Sequence, residues 1–128
     1  MKKLIILLSL IGFVFANANS QRVHRLFDAS WKFHRGDVSN GEKENFNDQN
    51  WRILDLPHDW SIEDLPHQSD SVIGPFSAKS VGATATGYTV GGTSWYRKHF
   101  VENNIADKKV VIYFDGVYMN SDVYINGL

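Results

Sequence analysis

The clearest hydrophobic pattern in the chain has a period of two. Lys109 to Asp115 (KVVIYFD) is a continuous apolar run of strand length, and VYMNSDVYIN alternates Ser121, Val123 and Ile125 on one face against Asp122, Tyr124 and Asn126 on the other. The two runs meet at Asp115-Gly116, which reads as a turn. Earlier segments carry shorter versions of the same signal. Trp31 to His34 is extended and closed by Gly36-Asp37, and Asn40-Gly41 marks a turn in the polar loop that follows. Trp51, Ile53, Leu54 and Leu56 cluster over one strand length before Pro57 ends it, and TSWYRKHFV mixes aromatic and basic residues over another. No amphipathic helix of ordinary length and no internal repeat interrupts this order. Short strands divided by turn signals predict an all-β antiparallel sandwich or barrel.

Two stretches depart from the pattern. From Ser61 to Ser94 no period persists, because Gly74, Gly82, Gly87, Gly91 and Gly92, with Pro66 and Pro75, keep breaking it. A loop of that length in a small domain is either a binding loop or a disordered segment. The second stretch is Asn126-Gly127, a strong hairpin signal, since both residues tolerate the positive φ of a type I′ turn. One residue follows it, which reads as a hairpin without its returning strand and so as a partial chain.

The amino terminus has a different character. Lys2 and Lys3 precede an apolar run from Leu4 to Phe15, and Ala16 and Ala18 then supply an A-x-A site. This is the order of a secretory signal peptide spanning residues 1–18, with residues 19–128 as the mature domain. The apolar run falls short of the roughly 20 residues that cross a bilayer. Export predicts a secreted or periplasmic protein with no membrane partner once the leader is removed. The absence of cysteine leaves such a domain to hold together by packing alone. Thirteen Lys and Arg against fourteen Asp and Glu give no electrostatic reason to expect nucleic acid. Four Trp, five Tyr and eight Phe suit a β-rich core, and equally a surface that stacks on sugar rings.

Four segments in order, FDASWKFHRGD, WRILDLPHDWSIE, GTSWYRKHFV and VVIYFDGVYMNSDVYINGL, resemble the N-terminal sugar-binding domain of glycoside hydrolase family 2, most closely that of its secreted bacterial β-galactosidases. The resemblance implies part of a jelly-roll, galactose-binding-like antiparallel β-sandwich. It also implies a parent enzyme that hydrolyses terminal β-D-galactosides with retention, its catalytic carboxylates lying in a barrel beyond this segment. The carbohydrate and those further C-terminal domains are the implied partners. The cation, divalent or monovalent, that the resemblance implies also belongs to the barrel, so this chain is expected to hold no cofactor of its own.

Retaining hydrolysis needs two carboxyl groups roughly 5 Å apart. In the family the acid/base Glu follows an Asn, whereas Glu42, Glu44, Glu63 and Glu102 follow Gly41, Lys43, Ile62 and Val101, so no catalytic residue is assigned here. The five histidines lack the spacing of a zinc site. Candidates for the rim of a substrate pocket are His58 and Asp59 of the PHDW segment and Tyr88 of TGYTVGG. Each has a structural alternative: Asp59 can bond to loop backbone, as Asp does at turns, and Tyr88 can be a linker residue. Trp60 is expected to fill the sandwich edge. Of Arg97 and Lys98, at least one must leave the core or pair with an acid, and an ion pair with Asp115 or Asp122 is expected. Two rival functions stay open, a free-standing secreted carbohydrate-binding module and a non-functional gene fragment whose unpaired strand edge impairs folding.

Overall fold

In the computed structural model, residues 22–103, 105–106 and 108–128 are described. The proposed leader, residues 1–18, lies outside them. The architecture is all-β and antiparallel. Strand β1 (Trp31–Arg35) lies between β2 (Arg52–Leu54) and β5 (Ser94–Arg97), and β3 (Val72–Ile73) and β4 (Phe76–Ser77) form a separate hairpin. These are the strands expected around Trp31, around Trp51 and in TSWYRKHFV, with β1 central.

Register sorts the side chains of the three-stranded sheet. Phe33 sits opposite both Arg52 and Tyr96, while Lys32 sits opposite Ile53 and Arg97. Alternation therefore places Phe33, Arg52 and Tyr96 on one face and Lys32, His34 and Arg97 on the other. The first face is covered by the segment after β2, where His58 packs edge-on against the Phe33 ring at 4.8 Å. Tyr96 lies 5.0 Å from the same ring and the Arg52 guanidinium stands 5.0 Å over it. Phe33, 5% exposed, is the centre of the small core. The second face is covered by the loop between β1 and β2. Gly41 is needed there because a Cβ would stand 3.0 Å from the Trp95 ring and 2.7 Å from Val38, and Asn40 takes the positive φ of 61° beside it.

The stretch from Ser61 to Ser94 is built rather than shapeless. It opens with a 3₁₀ turn, Trp60–Ile62, continues through the β3–β4 hairpin and a second 3₁₀ turn, Ala83–Thr86, and ends at Gly87 in the left-handed conformation. Phe76 bridges to Thr89, and the Ser77 amide donates to the Tyr88 carbonyl at 2.9 Å. Local hydrogen bonds of turn type hold it, and these leave no hydrophobic period in the sequence.

The strand pair expected over Lys109–Asp115 and Val117–Asn126 is not formed: residues 108–128 contain no strand, and Val111, Tyr113, Tyr118 and Val123 are exposed. Strand pattern states which residues would share a face, but a strand exists only through a paired neighbour and a covered face. Among the described residues this segment finds neither. The turn itself is present. Asn126 and Gly127 have φ of 52° and 82°, and Ile125 and Leu128 exchange both backbone hydrogen bonds at 2.9 and 3.1 Å. Tyr124 stacks on Trp95 at 6.1 Å, which ties the segment to the sheet.

Candidate functional site

A polar cluster grows from the face that carries Phe33. Strand β2 supplies Arg52, β5 supplies Tyr96, and the chain after Pro57 supplies His58 and Glu63. Glu63 accepts from Arg52 at 2.5 Å and lies 2.8 Å from His58 Nε2; Tyr96 Oη is 2.7 Å from His58 Nδ1. A carboxylate only accepts, so Nε2 carries the proton that faces Glu63. Nδ1 then accepts from the Tyr96 hydroxyl, and this hydrogen-bond pattern assigns the tautomer. Burial would raise the Glu63 carboxyl, but the bonds from His58 and Arg52 and the Arg52 charge outweigh it and hold the group below its ordinary range. Burial, followed by the Glu63 and Asp59 carboxylates, pushes the Tyr96 phenol up to about 12. Glu63 is thus a lasting anion and Tyr96 a lasting donor. Such a carboxylate cannot serve as the protonated acid of a glycosidase pair.

Asp59 faces its own loop. Its side chain caps the Trp60–Ile62 turn, accepting from the Ser61 amide at 2.9 Å and from the Ser61 hydroxyl at 2.6 Å. Those two bonds, the hydroxyl first, lower its carboxyl below the ordinary value. Trp60 is half-buried beneath Arg35, whose guanidinium lies 4.7 Å from the ring centre. Tyr88 sits elsewhere, 41% exposed with φ of 63°, and with Ile73 and Phe76 it lines an apolar hollow of about 480 Å³ in the β3–β4 lobe. The three rim candidates therefore divide: His58 and Asp59 are engaged in the chain's own hydrogen bonds, while Tyr88 presents its ring to solvent.

A second recess, about 330 Å³, opens where the end of β1 meets β2 and the chain after Glu63. Arg35, Asn50, Trp51, Arg52, Glu63 and Asp64 are among its lining residues. His34 stacks on Trp51 at 5.3 Å and fixes one wall.

On the opposite face the buried carboxylate of Asp48 gathers three cationic or potentially cationic groups. Lys32 Nζ donates to Oδ1 at 2.7 Å; Arg97 Nε and His99 Nε2 reach Oδ2 at 3.0 and 2.6 Å. Burial alone would raise this carboxyl, and the bonds from Lys32, His99 and Arg97 instead hold it far below the usual carboxylate range. Arg97 thus pairs with Asp48, correcting the expectation of Asp115 or Asp122, because the loop on this face brings Asp48 over β5 while residues 108–128 stay unpaired. Sequence reasoning missed Asp48, Glu63, Arg52 and Tyr96. Only the placement of Arg97 within an aromatic strand signalled that an acid must reach it. Among the described residues no group of three or more His, Asp or Glu side chains could hold a metal ion, and no helix is long and apolar enough to cross a membrane.

The fold and its sites define a small antiparallel β domain with polar loops. No family model matches the chain. Individual proteins do. A β-galactosidase of Bacteroides ovatus is 46% identical over 110 residues, 85% of this chain and 12% of that protein. A β-glucuronidase of Formosa agariphila is 31% identical over 112 residues, 86% of this chain and 10% of that protein. The solved structure of a glycosyl hydrolase family 2 member from Bacteroides cellulosilyticus superposes with a TM-score of 0.53 at 53% identity, covering 59% of this chain and 9% of that one. The chain belongs to glycoside hydrolase family 2, of whose members it spans about a tenth of the length.

Proposed function

We propose that this chain is the sugar-binding, non-catalytic segment of an exported β-galactosidase that releases terminal β-D-galactose with retention. The observation that supports the reading is the 46% identity to a β-galactosidase over 85% of the chain, against 38% over 97% of it to a Formosa agariphila protein named a putative β-glucuronidase. The segment's part is to orient neighbouring domains and shape the pocket rim. Tyr88, its ring exposed on an ordered lobe, is placed to stack on a sugar, and His58 and Asp59 hold the loop that carries that lobe. The catalytic carboxylates, and the cation the resemblance implies, come from the barrel of the same enzyme.

The test is hydrolysis of aryl β-galactoside and aryl β-glucuronide by the full-length polypeptide carrying this segment. A kcat/KM at least a hundredfold higher for the galactoside is expected, and the reverse preference would overturn it. Export is tested separately: the mature protein should begin at Asn19, and recovery of an intact Met1 outside the cytoplasm would refute cleavage after Ala18.

A further inference from the structure

We propose that the recess between the end of β1, the start of β2 and the chain after Glu63 binds an uncharged pyranoside, with Trp51 as its wall, Arg35 and Asn50 as donors and Asp64 as acceptor. This inference deepens the glycosidase reading and rests on it for the class of ligand.

Three observations carry it. The charges lining the recess cancel, with Arg35 and Arg52 against Glu63 and Asp64. A net-neutral wall that offers both donors and acceptors fits hydroxyl groups, whereas a uronate or a sulfate would meet two carboxylates. Next, only part of that set is already committed. Glu63 binds both Arg52 and His58. Arg35 and Asp64, by contrast, stand outside the ion pairs of the cluster, and Asp64 is exposed. Finally, Trp51 is half-buried and held by His34 on one side and Phe46 on another, at 5.3 and 5.5 Å between ring centres. An aromatic wall already fixed in place binds the apolar face of a sugar ring without further ordering.

The recess is large enough for one ring and open to solvent, so affinity in the millimolar range is expected. Hydrogen exchange on the full chain, with and without methyl β-D-galactopyranoside, locates the site directly. Slower exchange at Asn50 to Arg52 and Glu63 to Leu65 is expected. Asp64→Asn, at an exposed position, and Arg35→Lys should each weaken binding at least tenfold by calorimetry, with the circular dichroism of the chain unchanged. If the isolated chain proves unfolded, the same exchange measurement on the full-length polypeptide decides. No protection at those residues at 50 mM sugar, roughly fifty times a millimolar Kd, overturns the proposal. So does tighter binding of methyl β-D-glucuronide, or binding indifferent to both substitutions. Failure here with galactoside hydrolysis intact sinks only this inference. Loss of hydrolysis toward both aryl glycosides, with protection retained, sinks the enzyme reading instead.

Discussion

Lys32 and Arg97 stand directly opposite each other across β1 and β5, and both reach the carboxylate of Asp48. Like charges at opposed positions of an antiparallel pair repel, so the register of this sheet depends on an anion supplied from a loop. Asp48 also accepts from Lys32 through its backbone carbonyl at 3.2 Å, and Arg97 donates to the Gly41 carbonyl at 2.5 Å. One residue therefore joins the two strands to the loop that covers them.

Asp48→Asn keeps the shape and removes the charge. With the two cations left facing each other in a partly buried site, the cost is expected to be about 3–5 kcal/mol, as for breaking a buried ion pair. Denaturant unfolding of the full chain measures it. Lys32→Met in the same background should recover part of the loss, because one of the opposed charges is then gone. If the double variant is no more stable than Asp48→Asn, repulsion across β1 and β5 is not what Asp48 relieves.

The acid limb of stability follows from the same group. Its carboxyl in the fold lies well below the usual carboxylate range, while in the unfolded chain it titrates near an ordinary Asp, about 3.9. At low pH the unfolded state therefore binds the proton first. Stability from Asp48 is complete above about pH 4–5 and drains away as the pH falls below that, through the depressed folded value. Glu63, also lowered in the fold, adds to the same slope with the same sign. The variant Asp48→Asn should show a flatter acid limb than the parent between pH 5 and 2 in thermal melts at fixed ionic strength; an identical slope would remove Asp48 as its source.

Tyr96 gives the alkaline limb. Its phenol is pushed up to about 12 in the fold, above the ordinary 10. The folded state then keeps a proton that the unfolded chain releases, so stability is complete below about pH 10 and is lost as pH rises from there toward 12. Absorbance titration should find one of the five tyrosines ionising late. Tyr96→Phe removes that late titration and leaves His58 Nδ1 without its donor at 2.7 Å, at a cost of about 1 kcal/mol.

The strands that form are those whose sequence pattern coincides with a partner within the described residues. Trp31 to His34, the run after Trp51 and SWYR each lie beside another, and period two was enough to find them. Lys109 to Asn126 carries the stronger pattern and forms no strand, because alternation encodes a face and says nothing of what meets it. Asn126-Gly127 was legible for a different reason: positive φ is a property of the residues themselves, so the turn forms whatever lies around it. The polar clusters lie beyond either signal. Asp48 and Arg97 are 49 positions apart, as are partners whose meeting is set by which face a loop covers, and nothing local to Asp48 marks it as buried. His58 was expected at the rim of a substrate pocket, and Glu63 and Tyr96, which decide its tautomer, become visible only in three dimensions.

Tyr88 separates stability from ligand contact. It holds φ of 63° with a side chain 41% exposed, a conformation that costs a non-glycine residue about 1–2 kcal/mol in steric strain. Its amide donates to the Ala83 carbonyl at 2.8 Å and its carbonyl accepts from Ser77, and glycine keeps both bonds. Tyr88→Gly should therefore leave the fold as stable or more stable, the relieved strain offset in part by the added freedom of the unfolded chain. Tyr88→Ala retains the strain and should shift the unfolding midpoint little, since few contacts are lost. If the tyrosine is held in this conformation to meet a sugar, both variants raise KM for an aryl β-galactoside in the full-length polypeptide several-fold with kcat nearly unchanged. Should KM stay at the parent value in both, Tyr88 makes no contact with substrate, and its exposed ring marks only the surface of the β3–β4 lobe.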